Sequence, residues 1–142
     1  MNPRTILCTI AIAIAALSFL ASPAHAQDCA KVEVQNLRPG QGMLMLAAYS
    51  DAASFRKTAA ASLQLPVSAE TMLMQVCNLS GSVVALTLFQ DLNGNGKLDS
   101  NPFGMPTEPW GASGKTSAMS APTWETAQVP LDGSMIVVKL SK

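Results

Sequence analysis

The chain predicts an all-β fold, an antiparallel sandwich of six or seven strands, from three observations. Short apolar or alternating runs recur at near-regular spacing, and turn residues separate them. The strand-helix-strand alternation that builds a parallel sheet is missing from the pattern.

Residues 1–26 read as a targeting segment that is removed before folding. Arg4 gives a positive start, residues 6–20 are an apolar run short for a bilayer span, and Ala24-His25-Ala26 is an A-x-A cleavage site. The expected mature chain is residues 27–142, a single domain, periplasmic or secreted, with no later run long enough to span a membrane. It retains eight Lys and Arg against nine Asp and Glu. With no basic stripe to neutralise phosphates, nucleic acid is an unsuitable partner.

Cys29 and Cys77 remain after the leader is removed, and an oxidising compartment makes a disulfide between them the expectation. Buried free thiols are the alternative. Redox chemistry has no Cys-x-x-Cys to support it.

Residues 31–37 alternate Val32 and Val34 with Glu33 and Gln35, which predicts an outer strand with one wet face. A turn at 38–42 leads to MLMLAAYS at 43–50, apolar on both faces and expected at the centre of a sheet. Residues 51–62 predict one or two helical turns capped by Ser50 or Asp51, or an ordered loop, with Phe55 packed on the sandwich. A short edge strand follows at 62–67, marked by Pro66 because proline cannot donate to a ladder. Residues 71–77 and 82–90, joined by Asn78-Leu79-Ser80-Gly81, predict a hairpin. Residues 124–131 and 134–140 predict a last pair around Asp132-Gly133.

The stretch between these pairs, residues 91–122, is long for a loop inside a compact domain, and such loops are usually functional or ordered by an ion. Asp91, Asn93, Asn95 and Asp99 place oxygens at alternate or near-alternate positions, with Gly94 and Gly96 free to turn the backbone. Calcium takes about six to eight oxygens, and loops of this kind supply them from positions 1, 3, 5, 7 and 9, with glycine at 6. Here those positions are Asp91, Asn93, Asn95, Lys97 through its carbonyl, Asp99, and Gly96. Pro102 stands where the twelfth-position glutamate is expected, so either Glu108 folds back to complete the shell or water does. An Asn-Gly turn closing two strands needs no metal and is the alternative.

The run FQDLNGNGKLDSNPFGMPTEPWGAS at 89–113, with Ala121-Pro122-Thr123-Trp124 after it, resembles the signature of domain of unknown function 2141, small exported bacterial proteins. The resemblance extends over most of the mature chain. It implies an immunoglobulin-like or transthyretin-like β-sandwich outside the cytoplasm, with no established biochemical activity. Gln90 and Ala112 depart from the pattern, which often carries His and an aromatic residue there.

The mature chain lacks histidine, which removes a Ser-His-acid triad and handicaps zinc and haem sites. Paired acids such as Asp91 and Asp99 lack the apolar surround that would raise one pKa for acid-base work. Met43 with Met45 and Met72 with Met74 each project from one strand face and suit Cu(I), but core filling is the favoured reading, since Leu44, Leu46 and Leu73 make these strands apolar regardless. Trp110 and Trp124 either pack the loop on the sheet or, for Trp110, stack on a sugar. The expectation is a non-enzymatic binding or structural module of the cell envelope with a calcium-stabilised loop, its partner an envelope protein or a glycan. A metal-free glycan- or peptide-binding sandwich using Trp110 is the alternative, and Met-based Cu(I) binding a minor one.

Overall fold

A computed structural model describes residues 28–117 and 120–141. The leader expected at residues 1–26 lies outside them. Among the described residues, eight strands and one short helix follow the order β1 Asp28–Gln35, β2 Met43–Tyr49, β3 Ala61–Pro66, β4 Met72–Leu79, β5 Val83–Asp91, β6 Trp110–Ala112, α1 Trp124–Ala127, β7 Gln128–Pro130 and β8 Met135–Lys139. No helix among them is long and apolar enough to cross a membrane.

Two sheets face each other: one has the order β4-β1-β8, the other β3-β2-β5-β6 with β7 also on β5. The expected all-β sandwich is what the chain forms. Alternation decides which side of each strand is inside. In β1, Ala30, Val32 and Val34 are buried, and in β2, Leu44, Leu46 and Ala48 meet them across the core. From β5 come Val84, Leu86 and Leu88, and from β8 Ile136 and Val138. Each of these large side chains contributes about 1.5–3 kcal/mol by leaving water, so the inter-sheet layer dominates the stability.

The strand total exceeds the expected six or seven because one edge is broken in two. β6 pairs with Thr87 to Phe89 of β5, and β7 pairs with Val83 to Ala85, so both lie along the same strand. Gly114 permits the break, with φ of 74° and a would-be Cβ only 2.3 Å from the Thr126 carbonyl oxygen. Ser113 secures it, its buried hydroxyl donating to the Ala127 carbonyl and accepting the Leu86 N–H.

Pairings differ from expectation in three places. The strand at 31–37 is not outer: β1 lies between β4 and β8, and the second of these pairs is parallel. Alternation reports a wet face, not an edge. The expected hairpin of 71–77 with 82–90 does not form, because β4 pairs with β1 and β5 with β2, in opposite sheets. Asn78 at φ 65° and Gly81 at φ 88° turn the chain across the core. Nor do 124–131 and 134–140 pair. Thr123 and Thr126 form a capping box that starts α1, β7 then joins β5, and β8 crosses to β1. Asp132-Gly133 is still a turn, and the Ser134 hydroxyl, with its N–H, holds the Asp132 carboxyl below the usual carboxylate range.

Residues 51–58 are turns, not helix: Lys57 and Thr58 N–H both donate to the Ser54 carbonyl. The Ser54 N–H and hydroxyl hold the Asp51 carboxyl below its ordinary range. As expected, Phe55 packs on the sandwich, edge-on to Tyr49 at 5.2 Å and to Trp124 at 6.0 Å, covering one end of the outer face of the five-stranded sheet. The edge strand expected at 62–67 is β3, and the central strand at 43–50 is β2 between β3 and β5. Cys29 and Cys77 form the disulfide, joining β1 to its edge neighbour β4.

Candidate cation loop and adjoining cavity

β5 carries the chain into the loop through two buried polar residues, Gln90 and Asp91, at 0% and 2% exposure. The Gln90 amide donates to the Arg38 and Gln41 carbonyls and accepts the Arg38 N–H, fixing the 38–42 turn against the strand. That turn then presses on the loop root. A Cβ at Gly42, where φ is 57°, would sit 1.9 Å from the Asp91 carbonyl oxygen, whereas at Gly40, with φ 74°, it would meet nothing within 4 Å.

Gly42→Ala is therefore expected to cost about 3 kcal/mol, from strained backbone plus displacement of β5, and Gly40→Ala only about 1 kcal/mol. Urea denaturation of both variants checks this, and equal losses would exclude the close approach as the cause.

Asp91 Oδ1 accepts the Gly94 and Asn95 N–H groups at 2.8 and 3.2 Å, and Oδ2 accepts Gly96 N–H at 2.7 Å. Three successive amides turn toward one carboxylate because Gly94 and Gly96 hold φ of 76° and 75°. Asn93 Oδ1 receives Asn95 N–H, and Asn95 Oδ1 receives Lys97 N–H, so the wrap continues residue by residue. Both amides then donate to Asp99, Asn93 Nδ2 to Oδ2 at 2.5 Å and Asn95 Nδ2 to Oδ1 at 2.9 Å. The loop thus brings Asp91, Asn93, Asn95 and Asp99 into one ring. Lys97 is exposed and joins through its backbone N–H.

Glu108, expected to complete a cation shell unless water does, is buried at 6% exposure and turns both carboxylate oxygens to the loop backbone. Its Oε1 accepts Leu92 N–H at 2.7 Å and its Oε2 accepts Asp99 N–H at 3.1 Å, so it clamps the two ends of the wrap. Backbone bonds from Thr107 to Asp99 and from Gln90 to Pro109 extend the clamp. Among the described residues no buried side-chain polar atom lacks a partner, and no group of three His, Cys, Asp or Glu converges as metal ligands. A cation held here would draw on mixed donors: carboxylate oxygens of Asp91 and Asp99 with amide oxygens of Asn93 and Asn95.

Beyond the ring, Asn101 Oδ1 accepts the N–H groups of Phe103 and Met105, building a tight tip that leaves Phe103 89% exposed. The half-buried Trp110 lies on β6, beside Phe89 in register, and lines a cavity of about 330 Å³ between the loop and the 51–58 turns. The methionine pairs are separated. Met72 and Met74 pack on the inter-sheet core, while Met43 and Met45 lie on the far face of β2 from Leu44 and Leu46. Their thioethers do not form one cluster.

Three positions outside the expected site residues matter here. Gln90 ends the strand expected at 82–90, Ser113 lies in the stretch expected as loop, and Arg56 falls in the segment expected as helical turns or an ordered loop, where it takes φ of 57°. Only Gln90 left a trace in the sequence, as a departure from the motif.

No curated protein and no solved structure matches the chain. A family model for domain of unknown function 2141, described as an uncharacterized protein conserved in bacteria, matches residues 32–138. The match runs from β1 into β8 and takes in the whole loop, so the chain belongs to the domain of unknown function 2141 family.

Proposed function

We propose that this protein is a non-enzymatic exported module of the cell envelope whose loop, from Asp91 to Glu108, is stapled by calcium. The observation that carries the reading is the ring of Asp91, Asn93, Asn95 and Asp99, wrapped on two left-handed glycines and clamped by Glu108. Three carboxylates share this loop with one lysine, Lys97, so its field favours a cation. Asp91 and Asp99 supply charge, Asn93 and Asn95 supply neutral oxygens, and Glu108 keeps the ring's ends together. The A-x-A leader and the Cys29–Cys77 disulfide support an oxidising, exported setting.

Affinity typical of extracellular modules, on the order of 10⁻⁴–10⁻³ M, makes the ion structural and not a signal. At the tight end, about 10 mM calcium adds roughly 2.7 kcal/mol by mass action. For a domain of this size that is a rise in Tm of roughly 10 °C over the same protein in EDTA. Identical melting in calcium and EDTA would sink the reading, and an equal rise in magnesium would reassign the ion.

The competing reading, a metal-free site for a glycan or peptide at Trp110, draws on that residue's place in a cavity wall. Retention of a glycan from an array in the presence of EDTA would favour it.

A further inference from the structure

We propose that the cavity beside Trp110 is a binding site for a small amphipathic carboxylate, with the Arg56 guanidinium as its anchor. The site goes beyond the calcium reading: the hydrogen bonds that shape its loop wall, from Asn101 and the Ser100–Pro106 bridge, are made without an ion.

Most of its wall is apolar: Leu98, Met105 and Pro106 from the loop, Trp110 from β6 and Pro122 from the segment before α1. Arg56 is the one charged residue among the described residues that line it. At about 330 Å³ the cavity sits at the small end of the range for ligand sites, about 300–1,000 Å³. An apolar wall with a single cation selects a ligand with an apolar body and a single anionic head. A guanidinium presents a planar fork that matches a carboxylate with two parallel bonds, which an ammonium cannot do.

Two features show that the cavity is built before any ligand arrives. Arg56 occupies the left-handed region at φ 57°, a conformation unfavourable for a residue with a side chain. It is held there by the turn in which Lys57 and Thr58 N–H donate to the Ser54 carbonyl and Asp51 accepts Ser54 N–H. Relief of that cost was available through glycine or asparagine, and arginine stands there instead. Opposite, the Met105 wall is set by the Asn101 side chain, which receives Phe103 and Met105 N–H, and by the Ser100–Pro106 bridge. The backbone of both walls is set in advance, and the exposed Arg56 side chain is what binding has left to order.

The test titrates the purified protein with decanoate and with decanol, in EDTA, below micelle-forming concentrations. It follows the two indole N–H resonances by NMR. Decanoate is expected to shift the Trp110 resonance saturably while Trp124, packed on Phe55, stays put. Decanol is expected to bind about tenfold more weakly, the worth of one charge-assisted bond. Arg56→Asn keeps a residue at ease in the left-handed region and removes the cation, so it is expected to bring decanoate down to the level of decanol. Three results would each overturn the site: a Trp110 resonance that does not respond, equal affinity for acid and alcohol, or an Arg56→Asn variant as tight as the parent. Because no calcium is present, failure here leaves the melting test untouched, and the reverse holds too.

Discussion

Replacing Cys29 and Cys77 together by serine is expected to lower the unfolding free energy by about 4 kcal/mol. The bond links residues separated by 48 in sequence, and the estimate follows from the loop entropy released to the unfolded chain. Single domains are stable by only about 5–15 kcal/mol, so the reduced protein is left near the margin. Topology adds a local consequence. Among the described residues β4 is an edge strand with β1 as its one ladder partner, and it offers Leu73 to solvent at 67% exposure. Without the covalent link, β4 keeps only its β1 ladder and core packing, and hydrogen exchange at Met72 to Val76 is expected to accelerate beyond the global change. Urea titration of the parent, the double serine variant and the reduced parent checks the number. A loss under about 1 kcal/mol in both altered forms would show that the unfolded chain is already compact around these residues.

The contrast between what the sequence announces and what it conceals follows from the physics of strands. Val32 and Val34 declare their inward faces by alternating with Glu33 and Gln35, and the structure buries both, whereas β2 is apolar on both faces and its sequence does not say that Leu44 and Leu46 are the side turned inward. Partner choice has no such local mark. Nothing in MIVVK tells β8 to lie parallel to β1, and the turn residues between β4 and β5 serve a crossing between sheets as well as a hairpin. The loop divides the same way. Asp91, Asn93, Asn95 and Asp99 were legible because neighbours in sequence converge by turning through Gly94 and Gly96. Glu108 was legible as an acid that could fold back, yet its clamp on Leu92 and Asp99 spans 16 and 9 residues, which no spacing rule reaches. Gln90 binds backbone 49 and 52 residues away, and Arg56 shows its role only through a backbone angle. Long-range hydrogen bonds and strained dihedrals are products of the fold, so they become readable only once it exists.

Asp91→Ala is expected to cost about 3 kcal/mol, and Asp91→Asn about 2 kcal/mol, because of how one carboxylate is divided among its donors. Oδ1 serves Gly94 and Asn95, and Oδ2 serves Gly96. Asparagine keeps the shape and one acceptor but must aim an NH₂ at one of these N–H groups, so a near-isosteric change still breaks the wrap. Alanine frees all three amides, and the loss stops near 3 kcal/mol because the loop can open to water while the sandwich persists. Glu108→Gln repeats the test from the other side, since its two oxygens serve Leu92 and Asp99 separately. Amide exchange distinguishes loop opening from global weakening: Gly94, Asn95, Gly96 and Asp99 are expected to lose protection first, with Leu86 and Leu88 in β5 following only the global change. Asp91→Asn should also abolish the calcium-dependent rise in Tm, which ties ring and ion to the same atoms. Were Asp91→Ala as stable as the parent with these amides still protected, the wrap would owe its shape to the glycines and the tip alone. The carboxylate would then be no organising centre, with or without a cation.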